Sequence, residues 1–457
     1  MRKLLGVAIG TMLMTDLVSA QPEPLTLGQA VQQSVEKYPA VRGSLEQVSA
    51  AAAGINLART AYLPRADFLG QLNRATHNNV FGLLLPQSVI PSISGPAQGT
   101  NTLSNIWGSA VGALVSWEPV DFGLRRANVA SAKAVRDRTA AEVNVTKLQV
   151  ATAAADAFLT IAAAQQTVVA ARARVERARV LNEVIETLAK NELRPGADAS
   201  RSRAELALAQ TQQIQAEQTV AVARAALAQL LGTKPESILI EPGPLLQPPA
   251  APQAPDVAAA QHPLAIAREA AVTEVKAREK ALDRLYYPRL YLQGAAYARG
   301  TGIQPDGRSG AVASGLGPNI QNWALGATIT FPAFDWFSIR AKKEIEVHNE
   351  RSAAANYDQT LQDLTGGVEK AKAVLEGARR VVQNTPIQLE AARTTEQQAT
   401  ERYRTGLGNI TEVAEAQRLL TQAEIDDSLA RLGVWRALLG VAAAEGDLAP
   451  FLASSGK

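Results

Sequence analysis

Residue types that usually perform catalysis or bind metals are sparse in this 457-residue sequence. It contains no cysteine and three histidines, His77, His262 and His348, which lie in unrelated sequence contexts. None of them has the His-x-x-x-His or His-Glu spacing of a metal site, and no glycine-rich phosphate loop follows a predicted strand. We therefore predict no enzyme, no cofactor and no metal site, so any energy that the function requires must come from a partner.

A pair of acidic residues near the C-terminus is the remaining candidate for charge chemistry. Glu412 and Glu415 are three residues apart in a predicted helix, so their carboxylates share one face. An ordinary solvated helix surface has the same spacing. The meaning of the pair therefore depends on the elements that position it.

The N-terminus indicates export. Two basic residues precede an apolar run over residues 4–14, and Val18-Ser19-Ala20 supplies the small residues that a signal peptidase needs. We predict a signal peptide over residues 1–20, with cleavage between Ala20 and Gln21. A buried N-terminal helix is the alternative, since the run is shorter than the roughly 20 residues that span a bilayer. A lipoprotein would need a cysteine at the cleavage point, and the chain has none.

Composition favours closely packed helices. Hydrophobic residues make up 47% of the chain and aromatic residues only 5%, with alanine abundant. The 46 basic and 43 acidic residues are interspersed, which argues against nucleic-acid binding. After the signal peptide, the best apolar stretch, Val434 to Ala444, is too short for a spanning helix and contains Arg436. Any membrane-spanning part should therefore be a β-barrel.

The sequence is an internal duplication, because matching positions follow the same order in both halves. The matches are Tyr38-Pro39 with His262-Pro263, Leu63-Pro64-Arg65 with Tyr287-Pro288-Arg289, Trp117 with Phe331, Arg194 with Arg404, and Leu230-Leu231-Gly232 with Leu438-Leu439-Gly440. The predicted parts are a first repeat over 21–241 (helix, β-hairpin 65–123, long helix 124–193, helix 197–231), a stiff proline-rich linker over 242–255, a second repeat over 256–446 (helix, β-hairpin 289–335, long helix 337–403, helix 410–439) and a C-terminal tail over 447–457. The first helix should begin at Thr26, with Gln29 completing a capping box, and end before Pro64.

The long helices carry a coiled-coil pattern. Residues 124–193 contain no glycine or proline, and a continuous helix of that length would measure roughly 105 Å. Apolar residues alternate steps of four and three, which is the heptad pattern of coiled coils. The two predicted seams are Val150, Ala154, Ala157, Ile161, Ala164, Val168, Ala171, Val175 and Ala178 in the first half, and Leu364, Val368, Ala371, Leu375, Ala378, Val382, Thr385, Leu389 and Ala392 in the second. A cytoskeletal or fibrous rod would show the same pairing.

Two segments show the alternation of membrane strands. Trp107 and Trp117 close the ends of one face in the first half, and Trp323 and Phe331 do so in the second. Such aromatic girdles are typical of strands that cross a bilayer, although a single soluble hairpin could give the same pattern. Four strands cannot close a membrane barrel, which needs about eight or more, so oligomerisation is required. The loops over 83–105 and 301–320 are predicted to be exposed.

The ordered set of features resembles the TolC-like outer-membrane efflux family over nearly the whole mature chain. The residues that carry this resemblance are the corners Glu118-Pro119-Val120-Asp121-Phe122-Gly123 and Phe331-Pro332-Ala333-Phe334-Asp335 and the tip Arg402-Tyr403-Arg404-Thr405-Gly406. The resemblance implies a mainly α-helical fold with a membrane β-barrel, in which three protomers contribute four strands each to one twelve-stranded barrel of a Gram-negative outer membrane. Long coiled-coil helices would continue the barrel into the periplasm as a tunnel. The implied partners are a homotrimer, a periplasmic adaptor (membrane fusion protein), an inner-membrane pump and outer-membrane lipid.

The resemblance also implies roles for residues near the helical turns. An aromatic and two acidic positions help to close the family's tunnel, and Tyr403, Glu412 and Glu415 occupy them here. The matching turn of the first half departs from that pattern with Arg201, Arg203 and Glu205, and we hypothesise that its arginines pair with Glu412 or Glu415 in the closed state. The turns expected to dock the adaptor contain Arg194, Gly196, Arg404 and Gly406.

Two other classes of function are alternatives to the export interpretation. A periplasmic coiled-coil structural protein without a pore would share the heptads but not the duplicated hairpins. An exported enzyme would need a convergent polar site, which the sequence does not display. Within the export interpretation, drug efflux, metal efflux and protein secretion stay open, because the pump largely chooses the substrate.

Overall fold

The computed structural model describes residues 24–76, 105–249, 258–304, 308 and 310–455. The predicted signal peptide with Ala20 and Gln21, most of the first loop with His77, and the second half of the linker lie outside the described residues. The helices are α1 (Leu27–Lys37), α2 (Pro39–Thr60), α3 (Leu124–Lys190), α4 (Gly196–Leu231), α5 (Pro263–Asp283), α6 (Trp336–Arg404), α7 (Ile410–Glu445) and α8 (Ala449–Ser454), and the strands are β1 (Arg65–Thr76), β2 (Asn105–Val120), β3 (Arg289–Thr301) and β4 (Ile320–Thr330).

The chain forms two compact units. The helical unit comprises Met1–Tyr38, Leu148–Asp256 and Val368–Lys457, and the sheet unit comprises Pro39–Lys147 and Val257–Gly367. The predicted mainly α-helical fold with four strands per chain is confirmed.

The helical unit is held by a continuous apolar core. Phe158 of α3, Leu227 of α4 and Trp435 of α7 are fully buried in it, and Leu27 of α1 and Phe451 of α8 join the same cluster. Alanines such as Ala154 and Ala162, which are completely buried, allow the helix backbones to approach closely. The predicted seam of α3 is buried at every position except Val175, whereas the seam of α6 is buried only at Leu375, Thr385 and Ala392.

Helix α3 is long and apolar enough in one 18-residue window to cross a membrane by composition alone. More than half of that window is buried inside the protein. Asp156, within this apolar stretch, is bonded by Arg436 of α7, with 2.8 Å between Nε and Oδ1. These contacts identify the stretch as a packed core helix of the helical unit.

The sheet unit contains one antiparallel sheet with the strand order β1-β2-β3-β4. The register places Phe68, Ala113, Ala296 and Trp323 in one row across all four strands. Because side chains alternate between faces, this row and every second row on either side of it share one face. A register shift between Trp117 and Val120 ends the regular pairing of β2 with β3.

The structure differs from the sequence prediction at the first helix. The capping box at Thr26 and Gln29 is present, but the helix is broken at Tyr38, which has an extended backbone with ψ of 128°. Pro39 causes the break, because a residue that precedes proline is pushed out of the helical region. The segment predicted as one helix therefore forms two helices, α1 and α2.

The ends of the repeats also differ from expectation. Gly232 ends α4 in a left-handed conformation with φ of 67°, but its sequence match Gly440 lies inside α7, which continues to Glu445 and is capped by Gly446. The described part of the linker is not simply extended, since Gly243–Leu246 forms a 3-10 turn that buries Leu245. Likewise the predicted tail contains α8, whose Phe451 packs edge-on against Trp435 with ring centroids 6.3 Å apart.

Candidate functional site

The two faces of the sheet have opposite chemistry. On one face Phe68, Trp323 and Leu325 are 86%, 79% and 81% exposed, and their row neighbours are apolar or small. The other face, called the polar face below, carries most of the polar strand residues, including Gln71 and Arg299, which share a row with Ala110 and Ile320. Large exposed apolar faces are rare on soluble proteins. The apolar face therefore needs a non-aqueous environment.

The four predicted girdle residues belong to the apolar face or its border. Trp107 and Trp117 lie on it at opposite ends of β2, and Trp323 lies on it in β4. Phe331, just beyond β4, is 69% exposed. The indole Nε1 of Trp117 donates to the carbonyl of Tyr62 at 3.1 Å, an arrangement that leaves the ring edge free for an apolar surface.

Tyr403 lies in a small core at the turns that join the long helices. Only 2% of the residue is exposed, and it packs with Ile185 of α3 and with Val413 of α7. Its hydroxyl donates to Oδ2 of Asp198 at 3.3 Å. Burial raises the pKa of the Tyr403 phenol, and the Asp198 carboxylate raises it further. The aromatic side chain thus holds the two turns together within one protomer.

Arg194 joins the turn of the first repeat to that of the second. Its Nη2 donates to the backbone carbonyl of Tyr403 at 2.5 Å, and its guanidinium carbon lies 4.5 Å from the centroid of the Tyr403 ring. Arg194, a predicted docking residue, therefore contacts Tyr403, a predicted gate residue. Gly196 opens α4, and Gly406 has φ of 79°, in the left-handed region that favours glycine.

The two candidate glutamates have different surroundings. Asn409 caps the N-terminus of α7: its Oδ1 accepts from the backbone N–H of Glu412 at 2.9 Å, and its Nδ2 donates to the Glu412 carboxylate at 3.1 Å. Glu415 is bonded by Arg418, with Nη2 2.5 Å from Oε1. This hydrogen bond lowers the pKa of the Glu415 carboxyl. Both side chains are exposed on one side of α7.

The arginines of the first-half turn have other neighbours than the two glutamates. Within the protomer Arg203 approaches Glu186 at 3.9 Å, and Arg201 is exposed. Glu205 lies 3.8 Å from the buried Arg174 of α3, whose pKa is lowered by burial. The structure brings Tyr403 and Arg194 together, but it does not bring Arg201 or Arg203 to Glu412 or Glu415 within one chain. Arg404 pairs with the neighbouring Glu401 at 2.9 Å.

Sequence reasoning missed three partners of these residues. Asn409 could have been found as a preferred helix-capping residue three positions before a glutamate, and Arg418 as a basic residue three positions after Glu415. Asp198 carries no comparable local signal, because its contact with Tyr403 joins positions 205 residues apart. Among the described residues, no group of three or more histidine, aspartate or glutamate side chains could hold a metal ion.

Comparison with protein families identifies the family of this chain. Residues 30–233 and 249–447 match the family model described as "Outer membrane efflux protein". The chain belongs to this family. The match takes in both repeats, the sheet and the turns that carry Tyr403 and Arg194. Comparison with curated protein sequences finds no significant match.

Solved outer-membrane channels have the same fold as this efflux protein. CmeC of Campylobacter jejuni is 17% identical, with 92% of this chain and 85% of CmeC covered and a TM-score of 0.71. VceC of Vibrio cholerae is 15% identical, with 92% and 96% covered and a TM-score of 0.71. MtrE of Neisseria gonorrhoeae, in its open state, is 18% identical, with 92% and 89% covered and a TM-score of 0.69.

Family and fold together identify the protein as an efflux channel of the Gram-negative outer membrane that extends into the periplasm. The family consists of channel proteins. The predicted TolC-like family, export function and location are thereby confirmed.

Proposed function

We propose that three copies of this chain form the exit duct of a tripartite efflux or secretion system. Each copy contributes four strands to one twelve-stranded barrel, and the helices continue the duct into the periplasm. The duct catalyses no reaction, and an inner-membrane pump supplies the energy through a periplasmic adaptor. The observation that carries this proposal is a four-stranded sheet with an exposed apolar face and two open edges.

The open edges argue for assembly through the sheet. In the described part of the chain, β1 pairs only with β2, and β4 pairs only with β3. Unpaired backbone groups cost several kcal/mol each in hydrocarbon, so an open sheet is not stable there. Pairing β1 of one copy with β4 of the next satisfies both edges and closes a ring.

The turns at the ends of the long helices suit a docking surface. Leu193 and Leu407, next to Arg194 and Gly406, are 68% and 75% exposed. The contact of Arg194 with Tyr403 joins the two turns, so the two leucines can contribute to one apolar surface for a partner. We assign the adaptor's contact to these turns, with Arg404 and Gly196 in the same surface.

We assign the closing point of the duct to the same region. In a trimer, Glu412 and Glu415 of three copies contribute six carboxylates around one axis, offset in part by three copies of Arg418. Such a ring attracts cations. Tyr403 acts from inside the protomer, where its contacts with Asp198 and Arg194 hold the turns in the closed position.

Cysteine cross-linking tests the ring. The chain has no cysteine of its own, so introduced cysteines report only the chosen positions. Phe68→Cys in β1 is combined in turn with Trp323→Cys, Leu325→Cys or Ala327→Cys in β4, since all four positions share the apolar face. A disulfide needs Cα atoms within about 7 Å, so at least one pair should give a covalent trimer in outer-membrane fractions.

The matched control combines Phe68→Cys with Ala296→Cys in β3, which two strand spacings keep out of disulfide range. This control should remain monomeric on a non-reducing gel. A stable folded monomer in detergent, with no cross-linking from any β4 position, would contradict the proposal. It would favour the alternative of a periplasmic coiled-coil structural protein without a pore.

A further inference from the structure

Near the loop end of the sheet, the duplicated hairpins place one strand arginine on each face, whereas Arg65 and Arg289 lie at the opposite end of the strands. Arg74 lies in β1 and Arg299 in β3, near the ends of the strands that lead into the long loops. The register puts Arg74 opposite Trp107 on the apolar face, whereas Arg299 is opposite Ala110 and Ile320 on the polar face. A shift of one residue between the repeats is enough for this difference, because side chains alternate along a strand.

Arg299 has no carboxylate partner among the described residues. The neighbouring positions of the polar face are Tyr297, Thr301 and Gln71. The nearest acidic residue of that face in β1 is Asp67, four residues or about 14 Å further along the strand than Gln71, and Asp67 is already bonded by Arg65 at 2.9 Å. The Nε of Arg299 is buried and has no hydrogen-bond partner in the described part of the chain.

The sequence around these strands leaves little negative charge to compensate Arg299. Residues 68–117 contain no aspartate or glutamate at all, and residues 290–334 contain one, Asp306, against Arg299 and Arg308. Unpaired charge of one sign in a narrow passage attracts counter-ions and repels ions of the same sign. The loop end of the sheet is therefore positive on its polar face, in contrast to the glutamates near the helical turns.

We propose that Arg299 forms an oxyanion-binding ring at the outer end of the duct, with one guanidinium from each copy. This inference rests on the proposed trimer, in which the polar face of the sheet lines the lumen. Guanidinium groups bind carboxylate and phosphate oxygens through paired N–H donors. The ring attracts anionic groups of departing substrates once they are within about one Debye length of it. The substrate class that it favours is organic anions that carry carboxylate, phosphate or sulfonate groups.

The test is ion selectivity in planar bilayers, with inorganic tripolyphosphate as the probe. Three charges on the order of 10 Å from the axis, about one Debye length in 0.1 M salt, should change the chloride-to-potassium permeability ratio about fourfold. Arg299→Gln should lower that ratio by this factor and weaken block by tripolyphosphate added on the loop side. Arg299→Lys keeps the charge and should restore the ratio.

The chain supplies its own matched control. Arg74→Gln removes the same charge from a nearby position on the opposite face, so it should leave both readouts at the wild-type value. An Arg299→Gln duct with unchanged selectivity and block overturns the inference, and so does an equal effect of Arg74→Gln, which would mean that surface charge in general is responsible. A wild-type protein that forms no conducting trimer overturns the proposed function, and this inference with it.

Discussion

Removing Arg194 should loosen the turns at the ends of the long helices. Its hydrogen bond to the Tyr403 carbonyl, from a charged donor, contributes about 1.5 kcal/mol at the low end of the usual range. Its stacking on the Tyr403 ring contributes about 0.5 kcal/mol. Arg194→Ala should therefore lower the free energy of local opening by about 2 kcal/mol, which is roughly a 30-fold increase in the open population.

Hydrogen exchange measures this opening directly. In the purified channel, backbone amides over residues 190–196 and 404–410 should exchange about 30-fold faster in Arg194→Ala. The control is Arg404→Ala at the matching position of the second repeat, where the arginine forms an exposed ion pair with Glu401 and exchange should rise about twofold or less. Equal exchange rates in the two variants would refute the assigned role of Arg194.

Three further predictions concern the same turns. Gly406→Val should abolish export while trimer and membrane insertion persist, because valine does not tolerate φ of 79°; unchanged substrate resistance in cells would count against docking at this turn. Replacing Glu412 and Glu415 with glutamine, which preserves the cap of α7, should weaken cation selectivity and block by multivalent cations in single-channel recordings; wild-type values for both would show that the pair is ordinary surface. Because the pKa of Tyr403 is raised, its neutral form stabilises the closed turns fully below pH about 10, and this stabilisation is lost as pH rises through the higher folded-state pKa. Conductance should therefore increase in alkaline buffer, and Tyr403→Phe should remove the part of that increase that comes from phenol ionisation; an identical alkaline response in both proteins would exclude this role.

Local signals predicted much of the fold. The capping box at Thr26 and the buried seam of α3 each follow from a few neighbouring residues. Pro386 is a case where the longer pattern predicted better than the local signal, since the heptads predicted a helix over 337–403 and Pro386 lies inside α6 without ending it. Proline removes one backbone hydrogen bond and its ring clashes with the preceding turn, but packing along a long helix can outweigh this cost. That packing energy comes from residues distant in the sequence, so a short sequence segment does not reveal it.

The candidate site was harder to predict, because its contacts join distant parts of the chain. The sequence placed Tyr403 among gate residues through a family resemblance, and it placed Arg194 in a separate docking turn. The structure joins the two and buries Tyr403. The carboxylate that accepts from the Tyr403 hydroxyl is determined by how α4 packs beside α6. The sequence alone could not predict it, because the turns contain several acidic residues.

Duplication explains why equivalent positions in this channel have come to differ. A repeated sequence first gives both halves the same turns and strands, and each copy can then change as long as its own packing and strand pairing are kept. Gly232 still ends a helix, whereas Gly440 lies inside one because α7 continues to pack Val441 and Ala442 in the core. In the sheet unit, a shift of one residue places Arg74 on the apolar face and Arg299 on the polar face. The two repeats can therefore place charge on different faces of one sheet while both keep their strand pairing.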